Sequence, residues 1–146
     1  MPSTVFDASS LVGALLKADF IPERPLLLAR STGEICLSKA VEREYREVFA
    51  RPKFTKYLTP GRVERILGVI GSGARQVEPT VPVTDCRDAK DNKYLELALE
   101  AGADIIVSSD DDLLVLDPWR GIAVITPAEF VQRCEPAPPL PRPGRR

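Results

Sequence analysis

In the stretch "RDAKDNKYLELALEAGADIIVSSDDDLL" (residues 87–114) a helical pattern runs into a short apolar segment and then into three consecutive acids. The pattern predicts a helix over 88–101, ended by the glycine of Ala101-Gly102. "ADIIV" (103–107) is apolar without alternation, as expected of a strand buried on both faces of a mostly parallel sheet. Asp110, Asp111 and Asp112 follow at once. Two unit charges about 4 Å apart repel by about 4 kcal/mol at an effective dielectric near 20, so this crowding is either a solvated turn or a cation site.

The same alternation extends through the chain. "TVF" (4–6), "EICL" (34–37), "IAVI" (122–125) and, more weakly, "RQVEP" (75–79) read as further strands. Helices are predicted at about 9–18, 23–31, 39–50, 60–71, 110–116 and 127–133. Thr126-Pro127 with Glu129 is a cap followed by proline at the first helical position. The expectation is a three-layer α/β/α domain around a mostly parallel sheet of about five strands. It occupies residues 1–134 and is followed by a Pro/Arg-rich tail, "EPAPPLPRPGRR" (135–146), that can sustain neither helix nor central strand.

Composition narrows the function. The 146 residues are 44% hydrophobic and 28% charged, ordinary for a globular domain. No apolar run is long enough to span a membrane, and the N-terminus lacks a signal-like pattern. Three dispersed cysteines, Cys36, Cys86 and Cys134, suit packing in a reducing cytoplasm. The net charge is −1, and removing the tail's three basic residues and one acidic residue leaves −3. A protein that binds nucleic acid by phosphate neutralisation alone is usually basic, so some local device would have to offset the phosphates. There is no histidine, which removes the commonest general base and the commonest transition-metal ligand together.

The acids form a constellation. Ligands of open parallel sheets gather beyond the carboxyl ends of the strands. Asp7 follows "TVF" and Asp110 follows "ADIIV" and two serines, so both sit at such ends. On the helix "KAVEREYREVF", Glu44 lies nearer the stripe of Ala40, Val41, Tyr45, Val48 and Phe49 than Glu42 or Glu47 does, though an exposed helix glutamate is an equal reading. With Asp88 as cap, Asp91 falls at the third helical position, where the macrodipole alone accounts for an acid. Ser109 and Asp112 imitate a capping box, and Asp111 points to solvent. Converging in one cleft, such acids require a cation. Oxygen-only ligands favour Mg²⁺ or Mn²⁺, which can activate water and stabilise charge on a phosphodiester without histidine. Lys39, Arg43, Arg46, Lys90 and Lys93 would meet the phosphates nearby.

The order of these pieces resembles the PIN-domain family, in the branch of VapC-like toxins of type II toxin–antitoxin systems. "VFDASSLVGALL" resembles its opening strand with the first acid, Asp7, and "LSKAVEREYREVFARPKF" its second-acid helix with Glu44. The 87–114 block resembles the segment bearing the third and fourth acids, Asp91 and Asp110, with Asp112 in addition, and "IAVITPAEF" the closing strand and helix. The resemblance covers residues 3–133. It implies a Rossmann-like fold and an Mg²⁺- or Mn²⁺-dependent ribonuclease with Asp7, Glu44, Asp91 and Asp110 catalytic, Asp112 a further ligand, and Ser9 and Ser108 in support. It also implies an RNA substrate, a cognate antitoxin and a homodimer. Ser9 stands where the family often has asparagine, and Ser108-Ser109 where it often has threonine-glycine, which adds a Cβ beside the site.

Other classes fit less well. A haloacid-dehalogenase phosphatase needs an Asp-x-Asp pair after its first strand, and a response-regulator receiver clusters acids there; here one acid follows that strand. No dinucleotide or P-loop motif is present, "GSGAR" (71–75) being too short. The competing class is a PIN domain that binds RNA or protein without cutting, for which the full acid set has no evident use.

Overall fold

The structure, a computed structural model, describes residues 2–13 and 23–135. In chain order these form β1 (Ser3–Phe6), α1 (Ala8–Gly13), α2 (Glu23–Thr32), β2 (Glu34–Leu37), α3 (Lys39–Phe49), α4 (Pro60–Gly71), β3 (Arg75–Gln76), α5 (Asn92–Ala101), β4 (Ile105–Val107), α6 (Asp111–Leu114), β5 (Ala123–Ile125) and α7 (Pro127–Cys134). Short 3-10 turns occupy Pro52–Phe54 and Ala89–Asp91.

The five strands form one parallel sheet in the order β3-β2-β1-β4-β5. All four residues of β1 and all three of β4 are buried. Because successive side chains point to opposite faces, both faces of the sheet are covered, as the unalternating apolar runs required. The chain winds from β1 outward to β2 and β3, then returns to place β4 on the other side of β1. A crevice forms where the winding reverses, beyond the carboxyl ends of β1 and β4. Phe6 pairs with Val107, and the Asp7 N–H donates to the Val107 carbonyl at 3.0 Å, so the residues that follow the two strands emerge side by side.

Packing holds this end firmly. Phe130 of α7 meets Phe6 edge to face at 5.6 Å between centroids. The Tyr45 hydroxyl of α3 donates to the Phe6 carbonyl, and the Tyr94 hydroxyl of α5 accepts from the Ala8 N–H at 3.1 Å. Both tyrosines are about 1% exposed or less. Fully burying a large apolar side chain stabilises by roughly 1.5–3 kcal/mol, and here that burial also fixes the backbone on either side of Asp7. Gly33 is required by close approach, since a Cβ there would run into the Pro2 carbonyl, which accepts from the Glu34 N–H at 2.9 Å.

Several elements are shorter than the pattern predicted. The expected strand 103–107 begins only at Ile105, because Gly102 (φ 63°) caps α5 and the Ala103 N–H turns back to the Ala98 carbonyl at 2.9 Å. β3 keeps two residues of "RQVEP". The helix expected at 110–116 is Asp111–Leu114. The helix expected at 88–101 is two elements, a 3-10 turn capped by Asp88 and then α5. Thr126 and Glu129 form the capping box of α7. Residues 14–18 of the first predicted helix and 136–146 of the tail lie outside the described residues. Glu135, the first residue of that expected tail, caps α7 and pairs with Arg24 of α2.

Candidate active site

Asp7 is 2% exposed and sits in a cage of serines. Its Oδ1 accepts from the Ser10 N–H at 2.8 Å, and its Oδ2 accepts from the Ser9 hydroxyl at 2.9 Å and from the Ser108 hydroxyl. Ser108 in turn accepts from the Asp110 N–H at 2.9 Å, and Ser9 from the Ser109 N–H at 3.3 Å. Two short turns, one after β1 and one after β4, are thus laced through the Asp7 carboxylate. Burial raises its pKa to about 6, although the serine donors act in the opposite direction.

Asp91 has the opposite surroundings. With Asp88 capping the 3-10 turn, it is the third residue of that turn, as expected, and it is also the N-cap of α5, where it makes no capping hydrogen bond. Its Oδ2 is buried with no partner. Burial, then the neighbouring Asp110, Asp88 and Asp7, pushes its pKa up to about 8. Asp110, rather than Ser109, caps α6 by accepting from the Asp112 N–H at 2.9 Å. Asp88, Asp91, Asp110 and Asp112 each bring a carboxylate oxygen within 4.8 Å of the others.

Asp88 therefore belongs to the cluster, although in the sequence it reads only as a cap. The missed signal is the i, i+3 spacing of Asp88 and Asp91 across a turn too short to be α-helix. Asp112 is diverted, since its Oδ1 accepts from Arg87 Nε at 2.7 Å. Glu44 is also partnered, by Lys93 at 3.0 Å across α3 and α5. Asp111 is exposed.

A cavity of about 650 Å³ opens over this floor. Asp7, Ser9, Glu44, Asp88, Asp91 and Asp110 line it, while Ser108 and Asp112 do not. Ser109 is also absent from the lining, so its extra Cβ does not narrow the cavity. Of the five cations expected near the phosphates, Lys90 alone lines the cavity; Lys93 is held by Glu44, and Arg46 pairs with Glu42 and Glu64. Arg51 and Lys53 line it instead.

Residues 3–112, which carry every one of these acids, match the PIN domain. The chain belongs to the PIN-domain family. PIN domains are typically metal-dependent nucleases that bind nucleic acid, and the acid cluster of this one is compatible with a metal. Over 141 residues this PIN domain is 29% identical to the uncharacterised protein MJ1680 of Methanocaldococcus jannaschii, covering 90% of each chain. It also superposes on the crystal structure of PAE2754 from Pyrobaculum aerophilum with a TM-score of 0.58 at 15% identity, covering 90% of this chain and 88% of that one; that likeness concerns the fold. In this PIN domain β5 and α7 lie beyond the matched residues, and they complete the sheet and its cover. No helix among the described residues is long and apolar enough to cross a membrane.

The donor set fits a hard divalent cation. It is all oxygen, it gathers four carboxylates, and it contains one buried oxygen that nothing in the protein satisfies.

Proposed function

We propose that this PIN domain is a divalent-metal-dependent endoribonuclease and the toxin component of a VapC-like type II toxin–antitoxin pair. The observation that carries the reading is the unpartnered, buried Asp91 Oδ2 beside Asp88 and Asp110. An orphaned carboxylate oxygen costs stability, and a cation offsets that cost. Asp7, Glu44, Asp91 and Asp110 would hold Mg²⁺ or Mn²⁺, with Asp112 in support. When bound, the ion supplies Lewis-acid chemistry, lowering the pKa of water and neutralising charge on the phosphodiester.

The rest is the work of the protein. Ser9, Ser10 and Ser108 fix the orientation of the Asp7 carboxylate, so little reorganisation accompanies each turnover. Asp7 and Asp91 must lose the protons that burial favours, so activity rises with pH through about 6 to 8. Lys93 holds the Glu44 carboxylate in place beside the cavity. Arg87 holds Asp112, and with it the first turn of α6, against the Asp88 loop.

The toxin role brings a cognate antitoxin and a homodimer, operating in the cytoplasm, where Cys36, Cys86 and Cys134 remain free thiols. Residues 1–134 form the nuclease unit and 135–146 a tail. The test is cleavage of RNA in Mg²⁺ or Mn²⁺, with and without chelator, beside Asp7→Asn and Asp110→Asn. Metal-dependent cleavage lost in both variants supports the enzyme. Unchanged cleavage in both identifies a contaminant and overturns it, and metal-independent binding without cleavage supports a binding module instead.

A further inference from the structure

The cavity has a second chemistry that the acids do not use. Arg51, Lys53, Phe54 and Lys90 line it together with the carboxylates. Arg51, Lys53 and Lys90 are exposed, and none forms an ion pair among the described residues, whereas Lys93 and Arg87 are bound to Glu44 and Asp112. Phe54 is half-buried, with the Lys53 ammonium 5.0 Å from its ring centroid.

The segment bearing three of these residues is tied down by backbone hydrogen bonds. Arg51 donates its N–H to the Val48 carbonyl at 3.2 Å, stopping α3, and Pro52 opens a 3-10 turn. The Phe54 N–H donates to the Arg51 carbonyl at 2.9 Å, and the Phe54 carbonyl accepts from the Tyr57 and Leu58 N–H groups at 2.9 and 2.7 Å. Leu58 is buried, so the turn is tied to the core at its far end. An aromatic ring and two cations that form no ion pair among the described residues are thus presented together on the cavity rim.

We infer that the Arg51–Phe54 turn is a nucleotide-positioning subsite: Phe54 stacks on one unpaired base, while Arg51, Lys53 and Lys90 hold the flanking phosphates over the acid cluster. Phosphate charge and a base face are the two features of a nucleotide that this combination of side chains meets, and stacking tolerates any base while requiring it to be out of a duplex. The subsite also answers the charge puzzle: the protein is acidic overall, yet the unpaired cations that line the cavity stand beside its acids. The inference rests on the nuclease reading for its biological substrate but not for its test.

The test uses the full-length protein with a short single-stranded RNA carrying 2-aminopurine, in Ca²⁺, with the strand checked intact afterwards. Binding should change the 2-aminopurine emission. Phe54→Leu, which keeps an apolar side chain against the core, should weaken binding about 5- to 50-fold and remove the emission change, and Phe54→Trp should restore both. Lys53→Gln should weaken binding and lower the salt slope by about one. Equal affinity and equal emission change in Phe54→Leu overturns the subsite, as does a duplex bound as tightly as the single strand. If the wild type cleaves unlabelled RNA in Mn²⁺ while Phe54→Leu binds and cleaves identically, the subsite fails and the nuclease reading stands. If the wild type does not cleave but the emission change depends on Phe54, the nuclease reading fails and the subsite stands.

Discussion

Asp7 and Asp91 stand at the same end of one sheet, yet the protein treats them in opposite ways. Asp7 is surrounded by serine donors that use both of its oxygens, and Asp91 keeps a buried oxygen with no donor at all. A caged carboxylate is an orienting device built into the fold. An uncaged one, with Asp88 and Asp110 beside it, is a place left for a positive charge from outside. The difference separates what folding fixes from what a ligand completes, and it can be broken or sharpened by substitution.

The largest effect should come from the acids themselves. Asp91→Asn and Asp110→Asn should each lower metal-dependent RNA cleavage by about a hundredfold or more. In the absence of metal, Asp91→Asn should instead raise the melting temperature near pH 7, by roughly 2–6 °C, since it removes an acid that the folded protein can bury only by taking up a proton. A lowered melting temperature in that variant would mean that Asp91 is structurally satisfied after all.

Proton linkage gives the next effect. Both acids have folded-state pKa values, about 6 and about 8, above the usual carboxylate value near 4. The folded protein therefore holds protons that the unfolded chain has released. Their contribution to stability is complete below about pH 4 and is lost as pH rises through about 6 and then 8. Without metal, thermal stability should fall across that range; with saturating Mn²⁺ the fall should shrink, because the cation replaces the protons. Melting curves at several pH values, with and without Mn²⁺, check this.

Ser108→Ala tests the cage. It removes a donor to Asp7 and the acceptor for the Asp110 N–H, and should cost about 1–2 kcal/mol in stability and about tenfold in activity. Denaturant titration and initial rates report the two separately. The smallest effect is reserved for Asp111→Asn: the residue is exposed, and stability and activity should stay within about 0.5 kcal/mol of wild type.

Much of this was readable before any coordinates. The unalternating runs around Phe6 and Ile106 implied strands covered on both faces, and that in turn placed Asp7 and Asp110 at the carboxyl ends of two strands; that those strands are neighbours came only with the sheet order. Periodicity along α3 put Glu44 at the edge of a buried stripe, though not its partner Lys93, which comes from a helix 49 positions further along the chain. Asp88 escaped because a cap and a ligand look alike in one dimension, and its nearness to Asp110 and Asp112 across the chain is not visible there. Arg51 and Lys53 escaped for a similar reason. Nothing local says that a proline-opened turn after α3 comes back over β1 and β4, although the close run of two cations and a ring in "RPKF" is the clue that was available.

The most direct test of the account is calorimetric titration of Mn²⁺ into the wild type and into Asp91→Asn, near pH 7. The account predicts saturable binding by the wild type with release of protons, from Asp91 above all, and binding at least tenfold weaker in the variant. Equal binding in the two proteins, or none in either, would contradict it.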